Sequence, residues 1–196
     1  VIGKAREKGR RASCISNIKQ LTSSALMYAG DFGGQFMQTS QAGGDYLNDQ
    51  EIDVVDSIQE YGATRQMLFC PSNLEMNSPS VWGATATYRG TGYFSTFIRQ
   101  AGSLSTSTLV DSEWLTRIVT AGNSEEMTMF ADIMYSDSSK TDFTRTSVYT
   151  ATSNHKGAVN GLPDGGHSSY LDGHAEWLQF PNATERVTSS GIGCWF

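Results

Sequence analysis

Residues 1–32 read as one long amphipathic helix, and its length constrains the fold more than any other feature of the chain. Ile15, Ile18, Leu21, Ala25 and Tyr28 recur at three- and four-residue steps, the spacing of a single helix face. That apolar stripe starts only after Ala12, whereas Lys4, Arg6, Lys8, Arg10 and Arg11 crowd the first part. Asp31-Phe32-Gly33-Gly34 then supplies glycines that stop a helix. The element is about 28 residues and about 42 Å long at 1.5 Å per residue, more than a small domain spans. Such a helix is expected to pack by its apolar second half and to project by its charged first half. Glu7 is placed to pair with Arg11 at i+4, and the basic run reads as a solvated face, with anionic lipid headgroups as the alternative contact.

The chain has 196 residues, which predicts one domain over 1–196 with a helix at 1–32 and an α+β head at 33–196. Apolar residues at 38% and aromatics at 11% are enough for a folded core, while only 17% are charged. The net charge of −6 argues against nucleic acid as a partner, the basic helix start being a local exception. No apolar run approaches the roughly 18 residues needed to cross a bilayer, and no signal peptide is visible. Cys14, Cys70 and Cys194 form an odd set with no Cys-x-x-Cys pair, which argues against a thiolate metal site.

After the helix, β-forming segments alternate with Gly, Asn, Asp and Ser clusters, the pattern of strands joined by turns and long loops. Ile52, Val55 and Ile58 predict a short helix within 45–61 that ends at Gly62. Strands are expected at 67–70, 84–93, 106–111, 126–134, 145–150, 168–171 and 174–180. The run 126–134 is mostly apolar and is the strongest central-strand candidate. The predicted class is α+β: a long N-terminal α-helix packed on an antiparallel β-sheet with long loops.

The three histidines, His155, His167 and His174, fall within 20 residues beside Asp164 and Asp172. Imidazole and carboxylate together suit zinc or a similar ion, and a metal-dependent hydrolase would need three such ligands and an open position. Their spacing matches no helical ligand pair, however. Asp172-Gly173 between two strand-like runs instead predicts a type I′ hairpin turn, with Gly173 taking positive φ. No Gly-x-Ser-x-Gly elbow, phosphate loop or dinucleotide fingerprint is present, so no catalytic residues are expected and the chain does not read as an enzyme. A third class is an adhesion module that binds carbohydrate or protein through aromatics. Trp82 and Trp195, in turn-rich or terminal settings, are its surface candidates, with Trp177 expected in the core.

The stretch from Lys4 to Leu21, continued by Met27-Tyr28-Ala29-Gly30-Asp31, resembles the segment just after the apolar helix half in bacterial type IV pilin-like and type II secretion pseudopilin-like proteins. Tyr170-Leu-Asp-Gly-His-Ala-Glu-Trp-Leu178 resembles the Asp-Gly-His ending of the same group, which also carries an upstream His about ten residues earlier. His155 fits that position best, although Asp172 follows it by 17 residues, as though 161–166 were inserted. The resemblance implies a structural filament subunit of the bacterial envelope that is cleaved by a prepilin peptidase. An inner-membrane anchor would precede this chain, and the head would be periplasmic or extracellular. Partners would be other pilin or pseudopilin subunits, met through the N-terminal helix.

No resident cofactor is implied, apart from calcium, which some pseudopilins hold in a C-terminal loop. Here Asp164, Asp172 and Asn160 could supply only part of its oxygen shell. Export would favour one disulfide and one leftover thiol. Phe69-Cys70-Pro71-Ser72 resembles a recurring segment of the group and favours Cys14–Cys70, with Cys70–Cys194 and three buried thiols as the competing states.

Overall fold

The computed structural model describes residues 2–38, 46–83, 86–97, 106–107, 124–137, 139, 141–144, 153–157, 161–189 and 192–196. Helix α1 (Ile2–Asp31) matches the expected long helix. Its first turns are built from good helix formers, Ala5, Arg6, Glu7, Lys8, Arg10 and Arg11. Its later turns bury Cys14, Ile18, Leu21, Ala25 and Ala29, a stripe at steps of four and three. Gly33 and Gly34 take φ of 63° and 83°, and the Gly34 N–H donates to the Ala29 carbonyl at 2.7 Å, wrapping the helix end.

The head is α+β with antiparallel sheets, as the sequence predicts. A two-stranded ribbon pairs β1 (Asp49–Glu51) with β2 (Tyr88–Gly90) and is flanked by α2 (Ile52–Glu60) and the single turn α3 (Pro79–Trp82). One four-stranded sheet has the order β3-β5-β7-β8, made of β3 (Tyr93–Ser95), β5 (Thr128–Asp132), β7 (Gly165–Tyr170) and β8 (Ala175–Gln179). The other has the order β4-β9-β10-β6, made of β4 (Thr106–Ser107), β6 (Tyr135–Ser136), β9 (Glu185–Ser189) and β10 (Ile192–Trp195).

The pleat of the first sheet explains the layering. Tyr93 pairs with Asp132, and His167 pairs with Trp177. The Asp132 carboxylate accepts the His167 backbone N–H at 2.8 Å, so these four residues form one row across the sheet. In the next row of the same face, Ser169 accepts the Thr22 hydroxyl from α1 at 2.7 Å, which fixes this as the helix-facing side. Phe94 alternates to the opposite side, where its ring lies 5.0 Å from Tyr135 and 5.9 Å from Phe196 of the second sheet region. Helix, first sheet and second sheet thus share one hydrophobic cluster.

Several element boundaries need correction. Residues 49–51 pair as a strand, so the helix expected over 45–61 starts only at Ile52. Arg65–Leu68 is a 3-10 turn, not part of a strand over 67–70, because Thr64 and Met67 close a local turn before Phe69 extends. The strand expected over 84–93 is broken at Thr91-Gly92: the Thr91 N–H still donates to Asn48 O in register, but the Gly92 N–H leaves the ladder for the Leu68 carbonyl. Strand β5 takes the central place expected for 126–134. Residues 145–150, 108–111 and Trp114 lie outside the described residues.

The β7–β8 hairpin forms, but its turn is not type I′. Gly173 N–H donates to Tyr170 O at 2.9 Å, so Leu171 and Asp172 are the central residues. Gly173, at φ 89°, is the left-handed residue that follows, as in a three-residue hairpin loop.

Candidate functional site

A buried polar cluster fills the seam between α1 and the first sheet. Asp132 is the last residue of β5 and is fully enclosed. Its Oδ2 lies 3.2 Å from His155 Nε2 and 2.9 Å from His167 Nδ1, and its Oδ1 accepts the Asn154 amide at 2.6 Å. Asn154 also donates to the Gly92 carbonyl at 2.8 Å and accepts from Asn73 at 3.1 Å. Every Asp132 oxygen therefore has a partner, the condition for keeping a carboxylate in a dry interior.

Helix α1 closes the cluster from above. Glu7 Oε1 lies 2.7 Å from His155 Nδ1, and the same carboxylate accepts the Ser72 hydroxyl at 3.1–3.2 Å. One turn further on, Arg11 meets Asp164 at 2.5 Å and sets its guanidinium 4.1 Å from the centre of the Trp177 ring. Trp177 in turn lies 5.2 Å from His155 and 4.8 Å from His167 between ring centres. The Glu7–Arg11 pair is present at 3.5 Å, but both side chains also grip the head. The charged half of the helix is thus docked along one face, and its first half does not project freely as expected. Lys4, Arg6, Lys8 and Arg10 remain exposed on the other faces.

His155 sits fully buried between two carboxylates. Burial disfavours its charged form, but hydrogen bonds and attraction from Asp132 and Glu7 outweigh that and raise its pKa. For Asp132, burial pushes the pKa up, yet the bonds to His155 and His167 dominate and hold the carboxyl far below the usual range. Glu7 follows the same pattern more mildly: partial burial raises it, and His155, Ser72 and Arg11 bring it down. The two carboxylates thus favour the protonated form of the imidazole between them.

Beside it runs the Cys14–Cys70 disulfide, with Cα atoms 5.2 Å apart, tying α1 to the segment after the 3-10 turn. Cys70 Sγ lies 3.6 Å from His155 Nε2. Cys194 is buried in β10 and takes no part in the disulfide.

The residues singled out in the sequence divide among three places. His155 and His167 join the cluster. Asp164 pairs with Arg11, at the entry to β7. Asp172 and His174 stand at the hairpin tip, bonded to each other at 2.6 Å and both partly exposed. Because β7 separates Asp164 from Asp172 by six residues at about 3.3 Å each, roughly 20 Å, the two carboxylates cannot share a calcium ion. Asn160 lies outside the described residues. His174, beyond Ala175 at the tip, likewise cannot join His155 and His167 around one metal. The motif residues His155, Asp172, Gly173 and His174 therefore do two jobs, the first as a cluster member and the other three as a turn. The loop after His155 folds back on itself, Asp164 N–H donating to His155 O at 3.0 Å, which absorbs the longer spacing.

Trp82 and Trp195 are half-buried: Arg65 lies 4.8 Å from the Trp82 ring centre, and Trp195 donates its indole N–H to Ser136 at 3.0 Å. The exposed large apolar side chains among the described residues are instead Ile2, Met27, Phe32, Leu74 and Leu162, so neither tryptophan offers the open face an adhesion patch requires. Asp132, the centre of the cluster, was hidden in the apolar run 126–134. The available signal was a lone inward-facing carboxylate in a central strand, which needs buried partners.

No helix among the described residues is long and apolar enough to cross a membrane. No curated protein and no solved structure matches the chain. A family model described as a protein of unknown function (DUF1559) matches residues 3–36, which are α1 and the turn that ends it. That family is bacterial, envelope-associated and often linked with pilin-like proteins, and the match is compatible with a bacterial surface or pilus-related protein.

Proposed function

We propose that the protein is a pilin-like structural subunit of a bacterial envelope filament, with α1 as the shaft that joins its neighbours and the sheets as the outward head. The observation that carries this reading is the division of α1. Residues 14–29 are sealed to the head by an apolar stripe and a disulfide, while the solvent side of residues 2–13 stays open and basic. Of these roughly three turns, Glu7 and Arg11 grip the head, and Lys4, Arg6, Lys8 and Arg10 are exposed to other contacts. Extended along a filament axis, the same turns present Lys4, Arg6, Lys8 and Arg10 to neighbouring subunits or to anionic headgroups. On this reading the protein works by assembly, not by catalysis, and an inner-membrane anchor upstream of α1 would place it before assembly.

The test is site-specific photo-cross-linking of the full-length protein in its own bacterium. A cross-linker at Arg6 or Arg10 is expected to give a ladder of adducts between copies of this chain or with other filament subunits. Only monomer, with the protein present in the envelope, would overturn the reading.

A further inference from the structure

Four side chains from four parts of the fold converge beneath α1: Cys14 of the helix, Cys70 after the 3-10 turn, Asp132 of β5 and His155. All are buried, and one ligand atom from each lies within 4.8 Å of the others. The geometry points to a zinc site that forms when the Cys14–Cys70 disulfide is reduced, with Cys14, Cys70, His155 Nε2 and Asp132 as its four ligands.

Two of the ligand separations already match that ion. Tetrahedral zinc, with bonds of about 2.3 Å to sulfur and about 2.0 Å to nitrogen and oxygen, sets sulfur and nitrogen about 3.5 Å apart and nitrogen and oxygen about 3.3 Å apart. The corresponding separations here are 3.6 Å for Cys70 Sγ to His155 Nε2 and 3.2 Å for His155 Nε2 to Asp132 Oδ2. The two sulfurs must part to about 3.8 Å, and the remaining sulfur–nitrogen and sulfur–oxygen separations, each within 4.8 Å, settle to about 3.5 Å, which side-chain rotation supplies once the bond is broken. The donor set of two thiolates, imidazole and carboxylate suits zinc and leaves no open position, so the site is structural.

The surroundings are those of a prepared site. Glu7 holds His155 Nδ1, directing Nε2 inward as a carboxylate behind a metal-binding imidazole does. Asn154 and the His167 backbone N–H orient Asp132.

The chemistry balances as follows. A dithiol reductant, acting through its thiolate, attacks one sulfur of the bridge and then resolves the mixed disulfide. It leaves as a disulfide while Cys14 and Cys70 gain two electrons and two protons. Zinc then displaces both thiol protons, and also the Nε2 proton where the His155 ring is protonated, and these protons pass to solvent. Either state staples α1 to the head at the same point: a covalent bond under oxidising conditions, a metal under reducing ones.

The experiment titrates cobalt(II), as a spectroscopic stand-in for zinc, into the chain reduced by a phosphine without air and into the air-oxidised chain. The reduced chain is expected to take one equivalent, with thiolate-to-cobalt charge transfer and the intense visible bands of tetrahedral cobalt, and the oxidised chain to show neither. His155→Gln should weaken binding at least tenfold, and Glu7→Gln, which removes only the orienting carboxylate's charge, about tenfold. If His155→Gln does not fold, the wild-type chain decides: zinc should raise the melting temperature of the reduced chain and leave that of the oxidised chain unchanged. A reduced chain that takes no cobalt, a spectrum without thiolate charge transfer, equal binding by the oxidised chain, or undiminished binding by a folded His155→Gln variant would each overturn the site.

Discussion

Two aspartate–histidine pairs in this molecule have nearly the same geometry and opposite weight. At the hairpin tip, Asp172 Oδ1 and His174 Nδ1 approach to 2.6 Å, closer than Asp132 approaches either of its histidines. Yet the side chains at the tip are 36% and 42% exposed, whereas those of Asp132 and His155 are fully enclosed. Water screens the first pair and can replace either partner. Nothing can replace Asp132, whose loss would strand two imidazoles and an amide in the interior. Burial and the number of dependent partners, not the bond length, decide what such a pair does for the fold.

The largest expected effect follows from that contrast. Asp132→Ala should cost about 3–5 kcal/mol, the range for removing one member of a buried, hydrogen-bonded charge set. The check is a urea unfolding curve, read as a lower midpoint with little change in slope. A cost under about 1 kcal/mol would mean that the cluster rearranges freely and that its burial carries no weight.

The second prediction uses pH on the disulfide-bonded protein. Asp132 and Glu7 have folded pKa values below their ordinary ones, so their stabilisation is present above about pH 4, the unfolded carboxylate range, and is lost as pH falls through the folded values. His155 is raised, so its contribution is full below about pH 6.5 and is lost as pH rises through its folded value above that. The melting temperature should therefore peak between about pH 4.5 and 6.5 and fall on both sides. In Asp132→Ala the alkaline fall should shrink, because the strongest partner of His155 is gone. An unchanged alkaline limb in that variant would show that His155 is not the titrating group.

Much of this arrangement was legible in the residues, because periodicity reports which face of an element is buried. The stripe through Ile18, Leu21 and Ala25 gave the packed half of α1, and the apolar run 126–134 gave the central strand. What stayed hidden depends on contacts between distant segments. Glu7 and Arg11 satisfy a local i+4 rule, and that rule says nothing of His155, some 150 residues away, or of Trp177. The short strands β9 and β10 escaped because Thr188-Ser189-Ser190-Gly191 reads as turn, and only Val187, Ile192 and Cys194 mark their buried side. Asp172-Gly173 announced a hairpin correctly but not its register, because Gly173 serves a three-residue loop as well as a two-residue one. Zinc-type ligand spacing was absent for the same reason: the four converging residues come from four separate segments.

A smaller effect tests the helix side of the buried cluster. Glu7→Gln keeps the shape and the Ser72 contact but removes the charge facing His155. Because Glu7 is 30% exposed, its loss should cost about 1 kcal/mol, or about 2–4 °C in melting temperature for a chain of this size. Added salt should lower the wild-type value toward the variant's, since this is the one carboxylate of the cluster that solvent reaches. A loss as large as that of Asp132→Ala would mean that Glu7 is as indispensable as the buried aspartate and that docking of the charged helix half is a condition of folding.

Asp172→Ala is expected to do least. The side chain accepts the His174 backbone N–H at 2.9 Å as well as the ring N–H, so a local turn contact is lost together with an exposed side-chain hydrogen bond. Hydrogen bonds and pairs of this kind are worth less than about 1 kcal/mol when solvent can take their place. Gly173 still supplies the left-handed position, and the cross-strand pairing from Ser169–Ala175 to Gly165–Gln179 holds the hairpin closed behind it. The informative measurement is hydrogen exchange along the hairpin in Asp172→Ala. Faster exchange should be confined to amides of the tip, such as those of Gly173 and His174. The amide of His167 should stay protected, because its acceptor is Asp132, at the other end of β7 and inside the cluster. If His167 loses protection along with the tip, then the two pairs are coupled through the strand that joins them, and the exposed one contributes to the buried one despite its solvation.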